Sequence, residues 1–124
     1  MEQVKIFSLN SRGIVGKIGK ILDIIKKNDV TLLQEVKLGN TDVQINKRKL
    51  FIEKHGNCQL FISQLENSHL GVIITVSNKI LDNIKKYDEI IKGRAQRLEI
   101  KNGNQSFNLI NIYGPAKTSD RNLF

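Results

Sequence analysis

The chain has 124 residues, 40% of them hydrophobic, so it suits one domain with an apolar core. It carries 20 Lys and Arg against 12 Asp and Glu, and this net charge of +8 favours a polyanionic partner such as nucleic acid or an acidic membrane surface. The single cysteine, Cys58, excludes an internal disulfide and a cysteine-based zinc site. Without an apolar signal region or a run of membrane-spanning length, the sequence predicts a soluble, intracellular protein.

The first two elements in chain order are predicted to be a strand and an amphipathic helix. Val4 to Leu9 is rich in β-forming residues, and the turn formers at 10–13 end it. From about Lys17, apolar residues recur at helical spacing while lysines fall mostly on the other side: Ile18, Ile21, Leu22 and Ile25. Asn28 after this run predicts a left-handed helix stop.

The next stretch, Val30 to Glu35, is an apolar run that ends in a carboxamide and a carboxylate. Its length and its polar boundaries are typical of a strand buried on both faces. Strand, helix and strand form a βαβ unit, in which the two strands run parallel. Ligands of open α/β sheets bind beyond the carboxyl ends of such strands. If the strands are neighbours, about 5 Å apart, we expect Asn10 and Glu35 to share one pocket.

The remaining chain predicts one more helix and several strands. Thr41 or Asp42 is expected to cap a helix that reaches about Lys54, with an apolar stripe at Val43, Leu50 and Phe51. Four strand-like runs follow, at Cys58–Gln64, Leu70–Ser77, Arg94–Ile100 and Gln105–Tyr113, and the Asn-Gly pair before the last one indicates a hairpin. Between the second and third runs, a helical turn near 80–84 and an extended piece near 87–91 are both suggested.

Four of these pieces, in this order, resemble the motifs of the endonuclease/exonuclease/phosphatase superfamily. They are Ile6–Asn10 with Gly13, Leu32–Glu35, Gly71–Ile74 and Asn111–Pro115. Within that superfamily, the chain is most similar to the apurinic-type endonuclease domain of non-LTR retrotransposons. The resemblance spans essentially the whole chain, but only the N-terminal part of that domain.

The resemblance implies an α/β fold, the N-terminal portion of a four-layer sandwich in which two packed sheets, one of them mixed, are flanked by helices. It also implies phosphodiester cleavage in DNA with Mg²⁺, or alternatively Mn²⁺. Glu35 would be the metal ligand, Asn10 would support the metal and the phosphate, and Tyr113 would hydrogen-bond a phosphate oxygen. Mg²⁺ commonly takes only one or two carboxylates, which agrees with this set. A retroelement origin would place the protein in the nucleus.

The chain also departs from the family pattern. Arg12 stands where some relatives have an acidic residue, and Ala116 stands where relatives often have Asn. The family's later Asp-x-Asn and Ser-Asp-His motifs have no counterpart before Phe124, and neither His55 nor His69 matches a motif. We therefore expect a truncated domain that is inactive alone. Its apolar sheet face would need cover from a dimer partner or from a missing carboxyl-terminal half.

Each site residue also has a plainer structural interpretation. Glu35 would be a solvated carboxylate at a strand end, Asn10 a turn former, and Tyr113 a core aromatic with its hydroxyl outward. Two other functions stay open at the level of the whole protein. One is a phosphatase or phospholipid phosphodiesterase of the same fold, and the other is a non-catalytic basic module that binds nucleic acid.

Overall fold

The computed structural model describes residues 3–65 and 71–114, and these form two β-sheets with helices. The α-helices are α1 (Ile18–Lys27) and α2 (Asp42–Gly56), and 3₁₀ helices span Val15–Lys17 and Asn78–Asn83. The strands are β1 (Ile6–Asn10), β2 (Val30–Gln34), β3 (Cys58–Gln64), β4 (Gly71–Ser77), β5 (Ile84–Ile91), β6 (Ala95–Asn102) and β7 (Gln105–Ile112). The predictions for His69, Leu70, Pro115 and Ala116 lie outside the described residues.

The first sheet has the strand order β1-β2-β4-β3, and the second has the order β5-β6-β7. In the first sheet β1 and β2 are parallel neighbours, while β4 runs antiparallel to both β2 and β3. The second sheet is entirely antiparallel. The prediction of an α/β fold with a mixed sheet and a parallel βαβ unit is therefore confirmed.

The apolar residues form two cores, one on each face of the first sheet. On one face Leu33 and Ile73 pack against Ile21 of α1 and Ile52 of α2. On the other face, the side chains between the two sheets include Leu32, Ile74, Leu98 and Ile100. Because β2 contributes to both cores, it is buried from Val30 to Leu33, as the sequence predicted. Within residues 3–65 and 71–114 the layers are helices, first sheet and second sheet.

One exposed apolar face of the molecule is the outer face of the second sheet. The first sheet has both faces covered, by the helices and by the second sheet. On the outer face of the second sheet, Ile110 and Ile112 are each 51% exposed and Ile91 is 42% exposed. Ile110 and Ile112 alternate along β7 with Leu109 and Asn111, which point inward. Edge strand β1 adds a partly exposed Phe7.

Two details of the helices differ from the sequence predictions. Asn28 is extended, with φ −127° and ψ 152°, because the chain passes directly into β2. In α2 the predicted stripe is exposed at Val43, Leu50 and Phe51. The buried positions are instead Ile52 and Gly56. A Cβ on Gly56 would lie 3.2 Å from the Cγ2 atom of Ile25. Close approach to α1, rather than the weak periodicity of α2, therefore sets the buried face.

The strand boundaries follow the predictions to within a few residues. β3 spans the predicted range, whereas β6 starts after Arg94 and β7 ends before Tyr113. The β6–β7 loop is Gly103-Asn104, and Gly103 has φ +65°, which glycine adopts readily. The ambiguous segment divides into a 3₁₀ helix and then β5. No helix within the described ranges is long and apolar enough to cross a membrane.

Candidate functional site

The carboxyl ends of β1 and β2 form one edge of the first sheet. Asn10 is the register partner of Gln34, so Glu35 follows directly on the neighbouring strand. Past this pair, the backbone N–H and the Oγ of Ser11 both donate to the Gln34 carbonyl, each at 2.9 Å. Gly13 N–H donates to the Glu35 carbonyl at 2.8 Å. The structure thus places Asn10 and Glu35 at the same edge, as the βαβ geometry predicted.

Asn10 begins a tight turn at this edge. Its side chain is exposed, and its Oδ1 accepts a hydrogen bond from Arg12 N–H at 3.3 Å. Arg12 (φ +50°) and Gly13 (φ +84°) continue the turn in the left-handed region. Asn10 is therefore a turn former, and its Nδ2 group is the part of the side chain that remains to donate to a ligand. The turn also brings the exposed Arg12 guanidinium to this edge.

Glu35 has an unusual backbone conformation. It lies one residue beyond β2 with φ +54°, a region that costs a non-glycine residue about 1–2 kcal/mol. Two contacts hold it there: its carbonyl accepts from Gly13, and the next residue, Val36, donates its N–H to the Gly71 carbonyl at 3.0 Å. Gly71 is needed for this approach, since a Cβ there would lie 2.6 Å from the Val36 carbonyl oxygen. Such held strain is concentrated at functional sites in proteins.

A chain of buried amide side chains, which the sequence analysis did not identify, connects this edge to the second sheet. Gln34 Nε2 donates to Asn111 Oδ1 at 2.8 Å and to Ser8 Oγ at 2.9 Å. Asn111 Nδ2 in turn points at Gln96 Oε1 at 2.9 Å. Gln96 Nε2 then donates to the Tyr87 hydroxyl at 2.9 Å. We call Gln34, Asn111 and Gln96 the amide chain.

The amide chain is desolvated at its centre. Asn111 is 1% exposed and Gln96 is 0% exposed. Besides Gln96, Asn111 Nδ2 faces the main-chain carbonyls of Leu33 at 3.1 Å and Ile73 at 2.9 Å. Gln34 and Asn111 lie in two of the four motifs that carry the family resemblance. The one sequence signal that could have predicted their contact is that each is a polar residue within an otherwise apolar strand. The amide chain fixes the end of β7 over the end of β2.

Tyr113 follows β7 directly and therefore lies at the same end of the two sheets as Glu35. Its backbone N–H donates to the Arg94 carbonyl at 2.8 Å, and the residue is half-buried. Because Asn111, two residues earlier, is bonded to Gln34, the three predicted site residues share one end of the molecule. Arg94 shares that end through its contact with Tyr113.

The donors at this end suit a hard cation or a phosphate, and they are few. Within residues 3–65 and 71–114 there is no cluster of three or more His, Cys, Asp or Glu side chains that would hold a metal. Glu35 supplies a carboxylate and Asn10 an amide, and oxygen donors of this kind fit Mg²⁺. Lys17 Nζ contacts the Ser11 carbonyl at 2.7 Å and adds a positive charge beside the turn.

Other chemically capable residues lie elsewhere. His55 packs against Phe51 on α2, with ring centroids 4.3 Å apart. Arg97 pairs with Asp88, its register partner across the second sheet. Neither residue therefore joins the edge that carries Glu35.

The resemblance to the endonuclease/exonuclease/phosphatase superfamily depends on its motif residues alone. Those residues are the ends of β1 and β2, the start of β4 and the end of β7, and the structure gathers them around one end of the two sheets. A scan against protein-family models gives no match for this chain, and a search of curated proteins gives none.

Proposed function

We propose that Asn10, Glu35 and Tyr113 form part of a Mg²⁺-dependent, phosphodiester-cleaving site of the endonuclease type, which acts on DNA and is inactive in this chain alone. One observation carries the proposal. Glu35 is a half-buried carboxylate held at φ +54° where two parallel strands end. A solvated strand-end carboxylate would need no such conformation, whereas a ligand-binding one gains a fixed direction from it.

Each residue has a distinct part in holding a phosphate. Mg²⁺, when bound by the Glu35 carboxylate, would polarise a phosphoryl oxygen and stabilise the leaving oxygen. The Nδ2 group of Asn10 would donate to a phosphate oxygen, since its Oδ1 already accepts from Arg12. The Tyr113 hydroxyl would add a neutral donor that does not compete for the metal. The Arg12 guanidinium at the rim would attract the phosphate electrostatically.

The same geometry supports binding without turnover. Hydrolysis needs a base to activate water, and histidine is the usual one. His55, the histidine within residues 3–65 and 71–114, lies on α2 against Phe51. A single carboxylate would also hold Mg²⁺ weakly.

We further propose that the fold is the first part of a four-layer sandwich, in which a fourth layer would cover the exposed face of Ile110 and Ile112.

The test separates metal binding from cleavage. Mn²⁺ is titrated into the protein and followed by electron paramagnetic resonance, with Glu35→Gln as the variant and Glu89→Gln, an exposed carboxylate on β5, as the matched control. We expect one weak site that disappears in Glu35→Gln and persists in Glu89→Gln. Equal Mn²⁺ binding by all three proteins would refute the assignment of Glu35.

A plasmid-nicking assay with Mg²⁺ or EDTA completes the test. The proposal expects no nicking from the folded 124-residue protein or from Glu35→Gln. Metal-dependent nicking that vanishes in the variant would show a complete site and refute the proposal that this chain is inactive alone.

A non-catalytic binding module is the second candidate, favoured by the net charge of +8. It predicts DNA binding that is insensitive to EDTA and to Glu35→Gln.

A further inference from the structure

A polar concavity lies at the opposite edge of the first sheet, where β1 and β2 begin. It has a volume of about 390 Å³, and four lysines from three separate segments line it: Lys5, Lys26, Lys27 and Lys79. A neighbouring depression of about 280 Å³ shares Lys26, Ser77 and Lys79 with it. Asn10 is five positions along the chain from Lys5, at the other end of β1, which is about 17 Å of strand. We call the four lysines and their concavity the lysine cradle.

The backbone beneath the lysine cradle is firmly held. The Lys5 carbonyl accepts from Asp29 N–H at 2.9 Å and from Val30 N–H at 3.0 Å. Lys5 N–H donates to Asp29 Oδ2 at 2.8 Å, and Ser77 N–H donates to the Asp29 carbonyl at 2.8 Å. Ser77 Oγ also accepts from Lys79 N–H at 3.3 Å. The lysine side chains therefore extend from fixed positions around one opening.

The lysines of the lysine cradle outnumber the carboxylates in its lining, which leaves the concavity positively charged. In the described part of the chain both ion pairs belong to Asp88, and neither includes one of these lysines. Asp29 is the carboxylate in the lining, and one of its oxygens is already bonded to the backbone of Lys5. Lys26 and Lys27 lie in the last turn of α1, where the helix dipole favours them. The dipole does not account for Lys5 or Lys79.

We propose that the lysine cradle is a binding site for a terminal phosphate group, presented either by a free oligophosphate anion or by the 5′ end of a nucleic acid. Lysines that line a concavity focus positive potential in it, and lysine is a common point-charge partner for phosphate. The volume is in the range of ordinary ligand pockets. The Ser77 hydroxyl accepts one bond and retains its proton to donate to a phosphate oxygen. This site does not depend on Glu35.

The experiment is calorimetric titration with inorganic tripolyphosphate in EDTA. It compares the 124-residue protein with Lys5→Ala/Lys79→Ala and with Lys20→Ala/Lys47→Ala, which removes the same charge from exposed helix positions outside the cavity. We expect one site, weakened about tenfold or more by the first double variant and little changed by the second. Glu35→Gln should bind like the parent protein, so failure here is distinct from failure of the proposed nuclease site.

Thermal unfolding of each variant tests whether a loss of binding is caused by a loss of folded structure. Removing two of four like charges relieves repulsion, so Lys5→Ala/Lys79→Ala should melt no lower than the parent without ligand. Tripolyphosphate should raise the Tm of the parent and of Lys20→Ala/Lys47→Ala clearly more than that of Lys5→Ala/Lys79→Ala. Equal weakening by both double variants would show general surface attraction and overturn the proposal, as would no binding by the parent. Competition by a 5′-phosphorylated oligonucleotide, but not by its 5′-hydroxyl form, would identify a nucleic-acid end. Competition by neither would identify the free anion, and equal competition by both would show general attraction to the phosphate backbone and overturn the proposal.

Discussion

Asn111→Ala tests whether the amide chain holds the two sheets in register at the candidate site. The substitution removes the donor to Gln96 Oε1, which is fully buried, and the acceptor for Gln34 Nε2. It also removes the amide that faces the Leu33 and Ile73 carbonyls. A buried polar group left without a partner costs about 1–3 kcal/mol. Because Gln34 Nε2 keeps its bond to Ser8, we expect a total loss of about 3–4 kcal/mol in the free energy of unfolding.

The matched control is Ile110→Ala, one residue earlier on the same strand. Ile110 is 51% exposed on the opposite face, so its truncation should cost about 1 kcal/mol or less. Domains of this size are stable by about 5–15 kcal/mol, so both variants should fold. The assay is urea unfolding followed by far-UV circular dichroism, since the chain has no tryptophan. The denaturant slope should stay unchanged in both variants.

A second substitution makes the test sharper. Asn111→Asp keeps the shape but replaces the Nδ2 donor with an oxygen that faces three acceptors, so it should be at least as destabilising as Asn111→Ala. The reasoning would be refuted if Asn111→Ala cost no more than Ile110→Ala. It would also be refuted if Asn111→Asp were tolerated at neutral pH.

Two further predictions concern Glu35 and Cys58. Glu35→Gly should raise the free energy of unfolding by about 0.5–1 kcal/mol, because glycine removes the left-handed strain at some entropic cost, while Glu35→Gln should leave it unchanged; a less stable glycine variant in urea unfolding would contradict this. Burial, with a smaller contribution from the Glu53 charge, raises the pKa of Cys58 from 9.0 to about 11. Its thiol should therefore react slowly with a disulfide reagent at pH 8 until the protein unfolds. Between pH 9 and 11 the unfolded thiol ionises while the folded one keeps its proton, so stability should fall by about 2–3 kcal/mol as pH rises. Cys58→Ala should remove the contribution of Cys58 to the fall of stability between pH 9 and 11, and an unchanged pH dependence would contradict this assignment. Tyr87, whose pKa is also raised by burial, should leave some loss of stability at alkaline pH in both proteins.

The sequence by itself determined the elements whose pattern is strong and local. The continuous apolar run of β2 predicted a strand buried on both faces, and the structure buries Leu32 and Leu33 in different cores. The βαβ order placed Asn10 and Glu35 at one edge, because two strands joined by a crossover helix run parallel and end on the same side of the sheet. The range of β3 followed in the same way from residue type.

Only the tertiary structure decided features that depend on contacts between distant residues. α2 has no clear apolar stripe, so packing of Gly56 against α1 set its buried face. Glu35 adopts a left-handed backbone because Gly13 and Gly71, from two other parts of the chain, hydrogen-bond the peptide group between Glu35 and Val36. Gln34 and Asn111 are 77 residues apart, and their bond joins β2 to β7. The lysine cradle likewise draws its charges from three segments. Hydrophobic periodicity reports which face of an element is buried, but it carries no information about which distant polar groups will meet once that face is covered.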